Sequence, residues 1–185
     1  SIFSFTPGMD DGKIWAQGQI KIDEQDYIQD VIEKMEAKTL EIFPKIYKDI
    51  LELKINPQDQ DHENATYCAL RSPADGNIDW KKSATEVVNF IRAQSKPYPG
   101  AYTFYDGKEM KIWNARIFKY LYFGTPGQIA FIKNNEAYII CGGNTAIICE
   151  KVEYNNQISS PEKVIKSITH RLSNNIQESL YTISI

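Results

Sequence analysis

The feature that most constrains the fold is a run of short apolar segments between Tyr98 and Val152, separated by turn-forming dipeptides. Segments of about five residues at this spacing are typical of a small antiparallel barrel. The abundance of Tyr and Phe agrees with this, because aromatic side chains favour strands. The predicted strands are Ala101–Tyr105, Met110–Phe118, Gln128–Ile132, Ala137–Cys141 and Ala146–Val152, and the predicted turns are Asp106-Gly107, Pro126-Gly127, Asn134-Asn135 and Gly142-Gly143.

The N-terminal half has a different pattern, in which apolar residues recur at helical spacing. Alternation predicts strands over residues 1–5 and 18–22, and the helical spacing predicts a long helix over residues 27–54. Asp26 is the expected N-cap of this helix. Pro44 is expected to kink or divide it, because proline lacks the amide hydrogen that a helix interior needs.

Two further helices are predicted along the chain. Residues 83–94 have an apolar helical face, and Ser83 and Glu86 have the spacing of a capping box. A third helix is expected to begin with Pro161 in its first turn and to continue over residues 162–172. The C-terminal tail alternates weakly near its end, which predicts an edge strand there.

The polar, non-periodic residues 56–66 indicate a linker. We therefore divide the chain into residues 1–55, a linker with one helix over residues 56–97, and a barrel over residues 98–185. The charges are uneven: residues 1–95 hold 11 Lys or Arg against 17 Asp or Glu, a net charge of −6. The remaining residues hold 10 against 7, a net charge of +3, which suggests either an anionic partner or a solvated basic surface.

The cysteines and histidines argue against disulfides and against a zinc site. Cys68, Cys141 and Cys149 are odd in number and lack Cys-x-x-Cys spacing, which indicates a reduced, cytoplasmic protein. Neither His62 nor His170 has a second His or Cys at ligand spacing, so we expect no metal. No apolar run reaches the ~18 residues that a membrane span requires.

The first candidate site is the segment Gly8-Met9-Asp10-Asp11-Gly12, which follows the first predicted strand. Glycines allow the backbone to turn tightly and to approach a ligand closely. Asp10 and Asp11 supply carboxylates that could orient a base or a water molecule. The alternative is an ordinary Asp-Gly turn with no chemical role.

Two further segments contain candidate binding residues. Arg71, which opens the segment Arg71–Trp80, could clamp a carboxylate such as Asp75 or an anionic ligand. Trp113 and Arg116, on a predicted strand, could stack on a planar group or bind an anion. The alternatives are a loop that ends in a buried tryptophan and a Trp113 that packs in the core.

Taken together and in order, these segments resemble the 10-formyltetrahydrofolate-dependent N-formyltransferase family, which includes enzymes that act on methionyl-tRNA and on nucleotide-linked amino sugars. The resemblance covers nearly the whole chain, and its specificity comes from the order of the segments. They are Gly8–Ile14, Asp75–Trp80, Ile91–Ala93, Pro97–Ala101, Lys111–Ala115, Gly124–Ile129 and Cys141–Gly143.

The resemblance implies a fold of mixed class: an α/β C-terminal remnant of a Rossmann-like formyltransferase domain, followed by a small antiparallel OB-like β-barrel. Residues 1–55 would be the C-terminal part of the catalytic domain. The family's catalytic set is Asn, His and Asp, and the Asp of its Asp-x-Gly motif falls on Asp10, with Gly12 as its glycine. Asp10 would orient the catalytic His and its water, and the backbone at Gly8, Met9 and Asp10 would meet the pterin of 10-formyltetrahydrofolate, the formyl donor.

The Asn and His would come from an earlier segment that reads approximately His-x-Ser-Leu-Leu-Pro, which this sequence does not contain. Neither His62 nor His170 matches it. We therefore expect the chain to begin at the last catalytic loop, to require an N-terminal lobe of the same enzyme as its partner, and to be inactive alone. Formyl transfer would need no metal.

Two acceptors fit the resemblance. Arg71-x-Pro73-x-Asp75-Gly76 looks more like the enzymes that act on nucleotide-linked amino sugars, which we favour from the sequence. The net charge of +3 in the barrel half would instead suit initiator Met-tRNA, since phosphate contacts dominate RNA binding. Arg71, Trp113 and Arg116 are the candidate acceptor contacts in either case. A third possibility is a non-catalytic binding module.

Overall fold

The structure, a computed structural model, describes residues 1–181 of the chain. It consists of two compact units, which divide between Leu70 and Arg71. Within the described residues, no helix has the length and apolar character that a bilayer crossing requires.

The first unit contains a short two-stranded sheet and one long helix. Strand β1 (Ile2–Phe3) pairs in antiparallel fashion with β2 (Ile14–Ala16), so the candidate Asp loop connects two paired strands. Helix α1 (Ile28–Leu51) follows, and Pro44 lies inside it without dividing it. None of the α1 residues is fully buried within this structure.

The N-terminus of α1 differs from the prediction. Tyr27 occupies the N-cap position, and its N–H donates to Asp30 Oδ2 at 2.7 Å. The predicted cap, Asp26, instead binds Lys34 Nζ at 2.5 Å and accepts the N–H of Asp23 at 2.7 Å. A carboxylate is therefore present at this helix start, but it comes from inside the first turn.

The strand predicted over residues 18–22 does not form. The segment packs on α1: a Cβ added at Gly18 would lie 2.5 Å from Ile42 Cδ1. Lys34 Nζ donates to the carbonyl oxygen of Lys21 at 3.2 Å. Contacts with α1, including the hydrogen bond from Lys34, thus replace pairing with a neighbouring strand. The alternating pattern could not indicate this packing.

The second unit is built on a six-stranded sheet in which every strand pair is antiparallel. Five strands lie in the order β3-β4-β7-β6-β5, and β8 adds to β7. All five predicted strands are present, β3 with the predicted bounds and the other four with shifted ends. The bounds are β3 Ala101–Tyr105, β4 Lys108–Phe118, β5 Ile129–Lys133, β6 Glu136–Cys141, β7 Thr145–Tyr154 and β8 Gln157–Ser159.

The hairpin turns explain the strand boundaries. Asp106 and Gly107 between β3 and β4, and Asn134 and Asn135 between β5 and β6, all have positive φ. Two consecutive residues of positive φ match the right-handed twist of antiparallel strands. Both turns confirm the prediction, and Asn155-Asn156 between β7 and β8 forms a further turn of this kind.

Helix α2 (Ala84–Gln94) covers one face of the sheet and has the predicted capping box: Ser83 N–H donates to Glu86 Oε2 at 3.0 Å. Trp80, only 2% exposed, lies in the same core and donates from Nε1 to Thr103 Oγ1 at 3.0 Å. The main core members are Ile78, Trp80, Val87, Ile91, Met110, Ile112, Ile129, Ile139, Ile147, Val152, Ile165 and Leu172.

The C-terminal segment corrects two expectations. Helix α3 (Pro161–Val164) is a single turn, so most of the helix predicted over residues 162–172 is absent. Beyond it, Leu172 N–H donates to Gly127 O at 2.8 Å, and Ser173 exchanges main-chain hydrogen bonds with Phe104 of β3. Helix α4 (Ile176–Tyr181) lies where the predicted edge strand was expected to begin, and residues 182–185 lie outside the described residues.

Cys141 and Cys149 are both buried in strands, which confirms their interpretation as small core residues. Burial raises the pKa of the Cys141 thiol to about 12 and raises the pKa of Cys149 as well. Neither thiol is therefore a nucleophile at neutral pH, since the thiolate is the reactive form.

Ile112 and Ile117 on β4 offer a matched test of the core. Ile112 is 0% exposed and Ile117 is 47% exposed. Ile112→Ala should lower the free energy of unfolding by about 2–5 kcal/mol, because it leaves a cavity. Ile117→Ala should cost about 1 kcal/mol or less. Urea unfolding of both variants measures the difference, and equal losses would contradict the packing described.

Candidate functional site

The loop between β1 and β2 is closed by hydrogen bonds at its base. Ser4 N–H donates to Lys13 O at 3.0 Å, and Trp15 Nε1 donates to Ser4 Oγ at 2.8 Å. Gly12 is buried, and a Cβ at this position would lie 1.8 Å from Ser4 O. Glycine is therefore required at Gly12 by the close approach of two backbone segments.

A third segment, residues 58–60, fixes the tip of the loop. Gln60 Nε2 donates to the carbonyl oxygens of Asp10 and Gly12, at 2.8 and 2.6 Å. Gln58 and Ile14 exchange both main-chain hydrogen bonds at 2.8 Å. No sequence pattern indicates this role, because these residues lie in the polar, non-periodic stretch interpreted as a linker.

The two neighbouring carboxylates of the loop have different environments. Asp11 accepts a hydrogen bond from Thr6 Oγ1. The Asp10 side chain is exposed, and its carboxylate has no hydrogen-bond donor among the described residues. Gly8 and Met9 beside it are also exposed, Met9 by 93%. The loop therefore presents one available carboxylate on a backbone that Gln60 holds in place.

Arg71 opens the second unit and is exposed. Its expected partner, Asp75, is instead bound by Ser72, whose N–H and Oγ donate to Asp75 Oδ2 at 2.6 and 2.9 Å. These bonds lower the pKa of Asp75, and the charge of Arg71 contributes a smaller part. Arg71 has no ion pair among the described residues and thus remains available to an anion.

Trp113 is packed into the sheet rather than displayed on it. The side chain is 7% exposed, and its Nε1 donates to Glu153 Oε2 at 2.9 Å. A Cβ at Gly100 would lie 2.9 Å from the ring, so Gly100 allows this packing. Lys96 Nζ and Lys111 Nζ lie 5.4 and 5.9 Å from the ring centroid, within the range of cation–π attraction.

Arg116 lies on the same strand but is engaged by two carboxylates. Its guanidinium contacts Glu136 Oε1 at 2.8 Å and Glu150 Oε1 at 2.7 Å. Hydrogen bonding to Glu136 is the largest cause of the raised pKa of Arg116. No hydrogen bond or ion pair joins Arg71, Trp113 and Arg116 to one another within the described part of the chain.

An aromatic patch outside the candidates identified from the sequence is linked to Arg116 through Glu136, which contacts both Arg116 and the hydroxyl of Tyr138. The rings of Phe131 and Tyr138 stack at 3.9 Å, and Phe118 contacts Tyr138 edge-on at 5.5 Å. Lys119 Nζ lies 4.7 Å above Tyr120, which is 60% exposed. The alternating aromatics of residues 118–123 were the available signal. The patch consists of Phe118, Tyr120, Tyr122, Phe131 and Tyr138.

Comparison with known proteins identifies relatives of both units. Residues 71–168 match the family described as "Formyl transferase, C-terminal domain". A methionyl-tRNA formyltransferase of Caldanaerobacter subterraneus subsp. tengcongensis is 36% identical over 143 residues, which are 77% of this chain and 46% of that protein. The chain thus spans about half the length of this curated relative.

Solved structures share the fold at lower identity. HypX from Aquifex aeolicus, in complex with tetrahydrofolic acid, aligns with a TM-score of 0.67 at 17% identity, over 90% of this chain and 29% of that chain. An N-formyltransferase from Helicobacter canadensis, in complex with folinic acid and dTDP-3-aminofucose, aligns with a TM-score of 0.57 at 18% identity, over 80% and 53%. At these identities the likeness concerns the fold alone.

The role of Gln60 can be tested against Gln58, which is exposed and pairs through its main chain only. Gln60→Ala removes two hydrogen bonds, each worth about 0.5–1.5 kcal/mol. We expect amide exchange at Ser4, whose N–H is bonded across the loop, to accelerate by roughly tenfold. Gln58→Ala should leave it unchanged. Equal exchange rates in both variants would contradict the proposed support of the loop.

Proposed function

Because the chain belongs to the family of formyl transferase C-terminal domains, we propose that it forms part of an enzyme that moves a formyl group from 10-formyltetrahydrofolate to a primary amine. The match of residues 71–168 to this family carries the proposal. The Asp10 loop supports it, because the loop presents an available carboxylate beside an exposed backbone.

The loop has the properties that a folate-binding segment needs. Gly8 and Met9 are exposed, so a planar ring could approach the backbone there. The side chain of Gln60 binds only the carbonyl oxygens of Asp10 and Gly12. The donor would supply the electrophilic formyl carbon that the acceptor amine attacks. We assign Gly8, Met9 and Asp10 to the donor site on this basis, and Gly12, which is buried, to its support as the glycine that lets the loop turn.

Asp10 is proposed as the catalytic carboxylate. Its side chain would orient a histidine from the N-terminal lobe and hold the water through which the attacking amine loses its proton. Asp11 is a poorer candidate, because Thr6 already occupies its carboxylate. Donor groups from the same lobe would stabilise the negative charge that develops on the formyl oxygen.

This function assigns a different role to each of three parts of the chain. We propose that residues 1–55 complete a Rossmann-like catalytic domain, that residues 56–97 connect it, and that residues 98–185 form an OB-like barrel. The six-stranded antiparallel sheet is compatible with such a barrel. The catalytic Asn and His would lie in an N-terminal lobe of the complete protein, and the protein would work in the cytoplasm.

For the acceptor we now favour initiator Met-tRNA. The support is that methionyl-tRNA formyltransferases recur among the curated relatives, at 25–36% identity, although a bifunctional polymyxin resistance protein is also 36% identical over 70% of the chain. Likeness to the sugar enzyme concerns the fold alone. Tyr120 of the aromatic patch adds to this, because an exposed ring beside a cation, here Lys119, can stack on an unpaired base. Arg116 is linked to that patch through Glu136, although Glu136 and Glu150 both hold its guanidinium.

A nucleotide-linked amino sugar is the second candidate, and Arg71 is the observation that favours it. Arg71 is exposed and without an ion pair among the described residues, so it could bind a diphosphate. Trp113 is a weaker fit to either acceptor than its position in the sequence suggested, because its ring is almost fully covered.

Asp10→Asn in the complete enzyme should lower kcat by at least ~100-fold, the usual scale for a group that handles a proton. Asp11→Asn is the matched control, since an amide oxygen can still accept the hydrogen bond from Thr6. Single-turnover formylation assays measure both. Near-normal activity of the Asp10 variant would show that the carboxylate is misplaced, and turnover by the 185-residue chain alone would refute the need for an N-terminal lobe.

The acceptor can be decided by parallel assays of the complete enzyme with charged initiator tRNA and with an amino-sugar nucleotide. We expect formylation of the tRNA, with KM rising steeply between about 50 and 200 mM salt as phosphate contacts are screened. Preference for the sugar would overturn the acceptor proposal but not formyl transfer. Activity with neither would favour a non-catalytic binding module.

A further inference from the structure

Gln60 binds the loop at the residue whose carboxylate is available. Its Nε2 donates to the carbonyl oxygen of Asp10 at 2.8 Å and to that of Gly12 at 2.6 Å. A glutamine amide has two donor hydrogens, and both are used here. The two bonds lie on either side of Asp11, so they fix the peptide groups that frame the turn. Gln60 is itself half-buried, which limits competition from water for these bonds.

The two residues before Gln60 anchor it to the same loop. Gln58 and Ile14 exchange both main-chain hydrogen bonds at 2.8 Å, and Asp59 Oδ1 lies 2.9 Å from Lys13 Nζ. The ion pair is exposed and adds little, because water screens it. The main-chain pair, in contrast, fixes the position from which Gln60 reaches the loop. The support of the loop is therefore built by the backbone, and only its last contact depends on a side chain.

The backbone of Asp10 has a conformation that few residues adopt. Its φ is +54°, in the left-handed region, which aspartate and asparagine occupy more often than other residues that have a side chain. Such a conformation persists where the surrounding structure holds it. The direction of the Cα–Cβ bond follows the backbone dihedral angles. The contact that holds the main chain of Asp10 therefore also determines where its carboxylate points.

We propose that Gln60 is a positioning residue for the reaction, which acts by keeping the Asp10 carboxylate in its productive direction. This inference rests on the proposed function, in which Asp10 orients a histidine and a water molecule. Without the two donor hydrogens of Gln60, Asp10 can relax toward negative φ, and its carboxylate turns with the backbone. A displacement of about 1 Å at a reacting group can lower a rate by 100-fold.

The test compares Gln60→Ala and Gln60→Glu with the control Gln58→Ala in the complete enzyme. Gln60→Ala should lower kcat by about 10- to 100-fold, with KM for the acceptor amine unchanged, because orientation and not binding is altered. Gln60→Glu keeps the length of the side chain but places a carboxylate against two carbonyl oxygens, so kcat should fall at least as far. Gln58→Ala should retain the wild-type kcat, because its side chain is exposed and its main chain keeps the pairing with Ile14.

A double-mutant cycle with Asp10→Asn separates positioning from a loss of folded enzyme. If Gln60 acts through the Asp10 carboxylate, Gln60→Ala should change kcat by no more than about twofold once that carboxylate is gone. An equal loss in both backgrounds would overturn the proposal, because it would indicate a general structural effect. Wild-type kcat in Gln60→Ala would overturn it as well.

A second measurement does not depend on activity. In the 185-residue chain, residual dipolar couplings of the Asp10 amide should change in Gln60→Ala and stay unchanged in Gln58→Ala. Unchanged couplings in both variants would contradict the support of Asp10 by Gln60. The outcomes also separate this role from the proposed function: if formyl transfer or the role of Asp10 is wrong, the wild-type enzyme is inactive or Asp10→Asn retains activity. If only the role of Gln60 is wrong, Asp10→Asn is slow and both Gln60 variants are fast.

Discussion

The barrel-like unit depends on the segment Arg171–Ser173, which forms main-chain hydrogen bonds at both edges of the sheet. Ser173 and Phe104 on β3 exchange main-chain hydrogen bonds at 3.0 and 3.1 Å, and Leu172 binds Gly127, just before β5. Without this segment the two terminal strands would each present unpaired backbone groups. The sheet therefore closes through a piece of irregular chain, and apolar Leu172 fills the end of the core.

The closing segment also determines which side chains lie together on this part of the surface. Thr103 Oγ1 accepts from Trp80 and donates to Ser173 O at 2.9 Å, which ties the tryptophan to the closing segment. Arg171 thereby lines the same cleft of the second unit as Lys81. Charged side chains that are 90 positions apart in sequence become neighbours because backbone groups must be paired in the interior.

The Asp10 loop shows how far sequence patterns reach. Its place between two apolar segments and its glycines were readable from the sequence. Its resemblance to a formyltransferase motif stays a prediction, because the family match covers residues 71–168. The support by Gln60 was not readable, because a glutamine in a polar stretch carries no periodicity. Similarly, Trp113 and Arg116 were visible as chemically capable residues, but the sequence could not indicate that one is covered and the other paired.

The sequence by itself determined the strands of the second unit, its hairpin turns at Asp106-Gly107 and Asn134-Asn135, helix α2 with its cap, and the family. These features depend on alternation, local turn geometry and short spacings, all of which act between near neighbours. Tertiary structure alone decided the fate of residues 162–172, whose apolar spacing fits a helix. There, Lys166 N–H donates to Tyr105 Oη and Leu172 N–H donates to Gly127 O, and Leu172 is buried. These long-range contacts outweigh helical propensity.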